Sequence, residues 1–251
     1  HSQGEIAAAC VAGGLSLEDG ARVVALRSRA LLALSGRGGM VSVPLSREEA
    51  EDLLDVWPAD GRLSLAAVNG PRSVVVAGDP EALDAVLAQV EGARRIPVDY
   101  ASHSAHVEEI RSAVLDALDG IAPRPAGIPF LSTVDGTWLT GTELDAGYWY
   151  RNLRGTVLLA DATDTLVRAG HDVFIEVSPH PVLVHGLPDT AVGTLRRGEG
   201  GTDRFTASLA EAFVHGVAVE WSSVFPGAVG GVELPTYAFQ RERFWLGGVR
   251  G

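Results

Sequence analysis

His1-Ser2-Gln3-Gly4-Glu5-Ile6-Ala7-Ala8-Ala9 opens the chain. The run reads as the right half of a nucleophile elbow, the G-x-S-x-G turn that lifts a serine off the end of a strand and sets it at the start of a helix. The first Gly of that motif and its strand are not in the sequence, so the chain is expected to begin inside a domain. Gly4 keeps the turn uncrowded, and Glu5 to Ala12 are mostly helix formers, which puts Ser2 at the positive end of a helix. There the backbone N–H of Gln3 is expected to meet a developing oxyanion, an effect of about 3–4 kcal/mol per donor. A lone S-x-G also fits an N-cap without chemistry, so the decision falls to the rest of the chain.

The 251 residues are 46% hydrophobic, enough for a large core. The formal net charge of −12 argues against a nucleic-acid partner. It would also repel CoA phosphates unless arginines gather locally. Cys10, the single cysteine, has no disulfide partner and reads as a small hydrophobe. No apolar run approaches the length of a membrane span, and no secretory signal pattern is present, so a reducing cytoplasm is expected.

Beyond the elbow, Ser16-Leu17-Glu18-Asp19 caps a helix expected to reach Leu34. A compact alternation follows. Met40–Pro44 reads as a strand, residues 46–56 as a helix, and Leu63–Val68 and Ser73–Ala77 as strands joined at Asn69-Gly70-Pro71. Asp79-Pro80 opens a helix to Val90, and Arg95–Val98 closes the set as a strand. This βαββαβ order is a ferredoxin-like signature. Ser104–Leu118 reads as a helix, Phe130–Val134 as a strand ending at Asp135-Gly136, and Tyr148–Ala169 as mainly helical. Asp172–Val177 reads as a strand buried on both faces. Alternating strands and helices imply a parallel α/β sheet. The fold class expected is therefore α/β: a parallel-sheet, hydrolase-like large subdomain lacking its N-terminal part, with an inserted ferredoxin-like small subdomain. The divisions are 1–38 and 100–195 for the large subdomain, 39–99 for the small one and 196–251 for a linker. In that last segment Trp221, Phe225, Tyr237, Phe239, Phe244 and Trp245 form an aromatic strip better explained by packing than by solvation.

The chain resembles the acyltransferase domain of modular type I polyketide synthases. His1-Ser2-Gln3-Gly4-Glu5 matches G-H-S-Q-G-E without its first Gly, and Tyr100-Ala101-Ser102-His103 matches Y-A-S-H. Arg27, Asn152, Glu176–Leu183 and Leu234–Trp245 match further segments in the family's order. The resemblance implies that Ser2 is the nucleophile and His103 its base. It implies that the backbone carbonyl of Asn152 orients His103, with no acidic third member. Arg27 would hold the carboxylate of a dicarboxylic half-thioester, with His1, Tyr100 and Ser102 lining the substrate site. Substrates would be an acyl-CoA and the phosphopantetheine thiol of an acyl carrier protein, with no permanently bound cofactor. The tail would be a linker toward a ketosynthase. Y-A-S-H with Gln after the nucleophile goes with methylmalonyl in this family, and Ser102 in place of a Phe leaves room for the extra methyl. One methyl is worth about 1–3 kcal/mol, so selection could be leaky.

Each residue has a blander reading. Arg27 alone resembles a solvated helix arginine, as Arg22 and Arg29 do. Spacing leaves His103 and His106 open as bases, and only the resemblance chooses His103. His103 and His106 lack acidic or cysteine partners at ligand spacing, so no metal is expected. His171, His180, His185 and His215 read as structural or surface residues. Rival functions are a freestanding malonyl-transferring enzyme of fatty-acid synthesis, a serine hydrolase and a non-catalytic docking fragment. Residues 1–251 alone are expected to be poorly folded or inactive unless the missing part of the domain is supplied.

Overall fold

The computed structural model describes residues 1–56, 63–227, 233, 235–240 and 242. The chain divides into two units, His1–Val217 and Ala218–Gly251. In the first, helix α1 (Gly4–Ala12) ends at Gly13, whose positive φ of 87° closes the cap. Ser16 then caps α2 (Leu17–Leu31) by accepting from Asp19 N–H at 3.0 Å. A 3₁₀ turn, Leu32–Leu34, follows. Gly20, Val23 and Arg27 form the buried stripe of α2, the i, i+3, i+7 spacing of one helix face.

Residues 39–96 run β1 (Gly39–Val43), α3 (Arg47–Val56), β2 (Leu63–Gly70), β3 (Ser73–Gly78), α4 (Pro80–Gln89) and β4 (Arg94–Ile96). The strands lie in the order β4-β1-β3-β2, with antiparallel neighbours. Alternating side chains separate two cores, as the period of a strand requires. Val41, Val43, Val74 and Val76 pack on Leu83 and Val86. The opposite face carries Ala66, Ala67, Val75 and Ala77 against Ala101 and Val157. Those small residues let the segment carrying His103 lie close to the sheet.

After His103 the expected helix is split. A 3₁₀ stretch, Ala105–Ile110, precedes α5 (Arg111–Ala117), because Ser104 Oγ accepts from His106 N–H and tightens the first turn. A hairpin pairs β5 (Phe130–Leu131) with β6 (Trp138–Leu139). The stretch from Tyr148 is mainly helical, as expected, but consists of two helices. Helix α6 (Ala146–Arg154) stops at Gly155, and β7 (Val157–Leu158) pairs in parallel with β2 before α7 (Leu159–Arg168) begins. The largest sheet is consequently mixed: the four antiparallel strands of residues 39–96 plus one parallel strand from the segment expected to form the parallel sheet.

Strand β8 (Phe174–Glu176) pairs in parallel with β9 (Ala191–Gly193). Ile175 is 47% exposed, which corrects the expectation of burial on both faces: among the described residues β8 has one strand neighbour. Helix α8 (Thr202–Val214) follows, and its Ser208 donates to Thr194 C=O at 2.8 Å. The main core joins Ile6, Leu15, Val23, Leu34, Val114, Tyr148 and Trp149. In the second unit, α9 (Trp221–Val224) is a single turn, and Trp221 stacks on Phe225 at 6.1 Å between ring centroids. Tyr237 and Phe239 are exposed and meet edge to face. Leu234, Phe244 and Trp245 of the aromatic tail lie outside the described residues.

Gly38 is buried, and a Cβ there would stand 2.8 Å from Ala101 Cβ and 2.9 Å from Ala101 N. Neither position can retreat without moving the chain that leads to His103. Gly38→Ala is therefore expected to cost about 1–3 kcal/mol of stability, the usual toll of overpacking. The check is the urea denaturation midpoint of the variant, and an unchanged midpoint would contradict this packing.

Candidate active site

Ser2 and His103 are the two non-glycine residues with positive φ among the described residues, at 48° and 57°. Left-handed backbone costs a non-glycine residue about 1–3 kcal/mol and persists where surrounding structure enforces it. For Ser2 the enforcement comes from the start of α1. Gly4 N–H donates to His1 C=O at 2.9 Å, and Glu5 N–H to Ser2 C=O at 3.0 Å. Nothing among the described residues accepts from Gln3 N–H, which leaves it available beside Ser2.

For His103 the enforcement comes from the end of α6. The last carbonyls of a helix have no partners within it. Leu153 C=O takes the backbone N–H of His103 at 2.8 Å, and Gly155 C=O takes Nδ1 at 2.8 Å. A carbonyl only accepts, so Nδ1 carries the proton and Nε2 presents its lone pair. Ser2 Oγ lies 2.8 Å from that Nε2. The carbonyl facing the imidazole is thus Gly155's, which corrects the expectation of Asn152. Asn152 still lies inside the helical turn, whereas Gly155 has left it with extended ψ of 159° and turns its oxygen outward. Burial drives the His103 pKa down to about 4; the Gly155 carbonyl opposes that shift, and the Arg27 charge adds to it. The imidazole is therefore neutral at pH 7.

Asn152 contributes its side chain instead. Its Oδ1 accepts from Arg27 Nη1, and its Nδ2 donates to Glu5 Oε2 at 2.9 Å and more weakly to Ser2 C=O at 3.3 Å. Glu5, only 3% exposed, also accepts from Thr133 N–H and Thr133 Oγ1, both at 2.6 Å, and from Tyr148 OH at 2.7 Å. Burial and the Glu5 carboxylate push the Tyr148 phenol up, so it serves as a donor. Arg27 is 5% exposed while Arg22 and Arg29 on the same helix are exposed. Burial lowers its pKa to about 10, against the charge-favouring influence of Tyr100 and Glu5. It remains a cation at neutral pH.

Of the other site candidates, Tyr100 is half-buried against the main core. Ser102 Oγ donates to Met40 Sδ at 3.5 Å, and His1 Nε2 donates to Asn69 Oδ1 at 2.8 Å. His106 does not join them, since its Nε2 pairs with Asp79 at 2.8 Å. His171, His180, His185 and His215 are exposed. No cluster of metal-ligand type occurs among the described residues. No helix among them is long and apolar enough to cross a membrane. Sequence reasoning missed Gly155, Thr133 and Tyr148, and it quoted Glu5 without a role. Glu5 carried one usable signal, a carboxylate in the first turn of an otherwise apolar helix.

Comparison with known proteins bears on the same residues. The family model described as "Acyl transferase domain" matches residues 1–219. Polyketide synthase GfsA of Streptomyces halstedii is 57% identical over 98% of this chain, which spans 3% of that protein. Pikromycin polyketide synthase component PikAIII of Streptomyces venezuelae is 52% identical over 98% of the chain, which spans 16% of it. Among solved structures, the acyltransferase domain from module 8 of the salinomycin polyketide synthase superposes with a TM-score of 0.85 at 57% identity. That match covers 89% of this chain and 55% of that one. A loading acyltransferase from the avermectin modular polyketide synthase gives 0.79 at 47% identity, covering 84% and 70%. A family model that takes in Ser2, Arg27, His103 and Asn152, with relatives this similar over almost every residue, leaves one conclusion: the chain belongs to the acyltransferase domains of modular type I polyketide synthases.

Proposed function

We propose that this acyltransferase loads a methylmalonyl extender unit from CoA onto the phosphopantetheine thiol of an acyl carrier protein through an ester on Ser2. The observation that carries the reading is the 2.8 Å contact of Ser2 Oγ with a neutral, buried His103, beside an arginine that keeps donors unspent. In the first half-reaction Ser2 Oγ attacks the thioester carbonyl carbon as its proton passes to His103 Nε2. The oxyanion meets Gln3 N–H at the start of α1. The C–S bond breaks, CoA leaves with the proton from His103, and the acyl group remains on Ser2. In the second half-reaction the carrier thiol gives its proton to His103 and attacks the ester. Ser2 then leaves with that proton. Gly155 C=O holds the imidazole through both halves, in the place an acidic residue takes in a Ser-His-Asp triad.

Arg27 selects the donor. One of its N–H groups is spent on Asn152, and a planar guanidinium suits bidentate capture of a carboxylate. Ser102, against Met40, leaves space for the α-methyl. Residues 39–99 are read as the ferredoxin-like small subdomain, 1–38 and 100–195 as the large one, and 196–251 as the linker toward a ketosynthase. The domain is read as working in the cytoplasm.

Incubation of the full-length protein with labelled methylmalonyl-CoA and carrier protein is expected to move label to the carrier thiol. Rapid release of free acid without carrier labelling would contradict transfer. Arg27→Ala is expected to lower transfer about 10- to 100-fold, the loss of charge-assisted hydrogen bonds of about 1.5–3 kcal/mol. Ser102→Phe should favour malonyl over methylmalonyl by about tenfold in relative kcat/KM, the scale of one methyl in a pocket.

The histidine also sets a pH dependence. Acylation of Ser2 needs neutral His103, so its rate should stay flat from pH 8 down past 5.5 and fall as pH drops toward about 4. An acid limb centred near 6.5 would contradict the burial. Stability follows the same sign. Unfolded chains bind the proton below 6.5 and the native state only near 4, so native stability falls as pH drops through that window.

A further inference from the structure

Between Glu5 and Arg27 stands a neutral amide whose orientation is fixed by chemistry at both ends. Arg27 has no acceptor, so Asn152 must turn Oδ1 toward it. Both Glu5 oxygens are already met by donors, so the amide turns Nδ2 toward Oε2. The Asn152 amide therefore passes polarisation from a buried carboxylate to a buried guanidinium without letting the two charges meet. That separation matters for what Arg27 has left. Its one hydrogen bond among the described residues is the one to Asn152. No side-chain nitrogen or oxygen among them is both sealed from solvent and unpartnered, so the unspent guanidinium nitrogens keep some accessible surface. A direct Arg27–Glu5 pair would be bidentate and would occupy those donors.

We infer that Asn152 is a positioning residue that holds Arg27 by a single donor and keeps Glu5 off it, so that preference for a carboxylated over a neutral acyl donor is set at position 152 as well as at Arg27. The weaker contact of Nδ2 with Ser2 C=O links the same amide to the nucleophile turn. Burial of both charged groups strengthens any change made here, since neither is screened as a surface pair would be. The inference rests on the reading that Arg27 receives the substrate carboxylate.

The test compares methylmalonyl-CoA with propionyl-CoA, which keeps the same skeleton without the carboxylate. The readout is the ratio of their kcat/KM values in the full-length protein. The double variant Glu5→Gln with Asn152→Asp moves the negative charge from position 5 to position 152 at constant net charge and nearly constant shape. It places a carboxylate directly on Arg27 and should lower the ratio at least tenfold. Asn152→Ala removes the spacer without adding a charge and should lower it at least threefold. Arg27→Ala serves as the reference and should collapse the ratio by at least tenfold. Circular dichroism reports folding, and either position-152 variant that folds suffices. A merely structural loss would depress both substrates together and leave the ratio unchanged. If Arg27→Ala collapses the ratio while the folded position-152 variants keep that of the parent, the inference is overturned and the reading of Arg27 stands. If Arg27→Ala leaves the ratio intact, the reading of Arg27 fails, and the inference fails with it.

Discussion

Ser2 Oγ and His103 Nε2 stand 2.8 Å apart although 101 residues separate them, and both residues occupy left-handed backbone. Two strained residues facing each other need rigid supports, and the molecule supplies them as opposite helix ends. The N-terminus of α1 presents Ser2 with its amides forward. The C-terminus of α6 grips His103 through two carbonyls. Those polarities also match the charges that form in acyl transfer, since the amide end favours an oxyanion and the carbonyl end an imidazolium. The sheet stands behind this pair. Its alanine-lined face lets Ala101 pack against β2 and β3, while β7, joined to β2, carries the chain onward just after Gly155.

Burying an arginine, a glutamate and a histidine together is costly unless each charge has a partner. The solution is a graded chain. Glu5 is met by four donors from Thr133, Tyr148 and Asn152, Asn152 bridges to Arg27, and the imidazole stays neutral. Elements far apart in sequence thus share one polar seam through the main core: α1, α2, the β5–β6 hairpin and α6. Surface pairs Arg154–Glu108 and Arg37–Glu109 tether the 3₁₀ stretch after His103, but exposed pairs of this kind contribute little, because solvent screens them. Packing of Tyr148 and Trp149 in the core is the firmer support.

Much of this was legible from local chemistry. The elbow, the Ser16 cap and the βαββαβ order follow from turn residues and hydrophobic period, which are written within a few residues of where they act. Arg27 shares a helical stripe with Gly20 and Val23, but only the resemblance singled it out from Arg22 and Arg29 in the sequence. The misses share a cause. Whether Asn152 or Gly155 offers its carbonyl depends on where α6 stops, and that is set by pairing of Val157 and Leu158 with β2, some ninety residues earlier. Burial of β8 likewise depends on neighbours, not on its own apolar run. The Glu5 network joins residues up to 147 apart, and no spacing rule reveals such a set.

The central claim is that Ser2 carries the acyl group. Brief exposure of the full-length protein to methylmalonyl-CoA, followed by proteolysis and mass spectrometry of the Ser2 peptide, tests it most directly. The expected result is one methylmalonyl ester located on Ser2 and absent from Ser2→Ala. Acylation at another residue, or an undiminished adduct in Ser2→Ala, would contradict it.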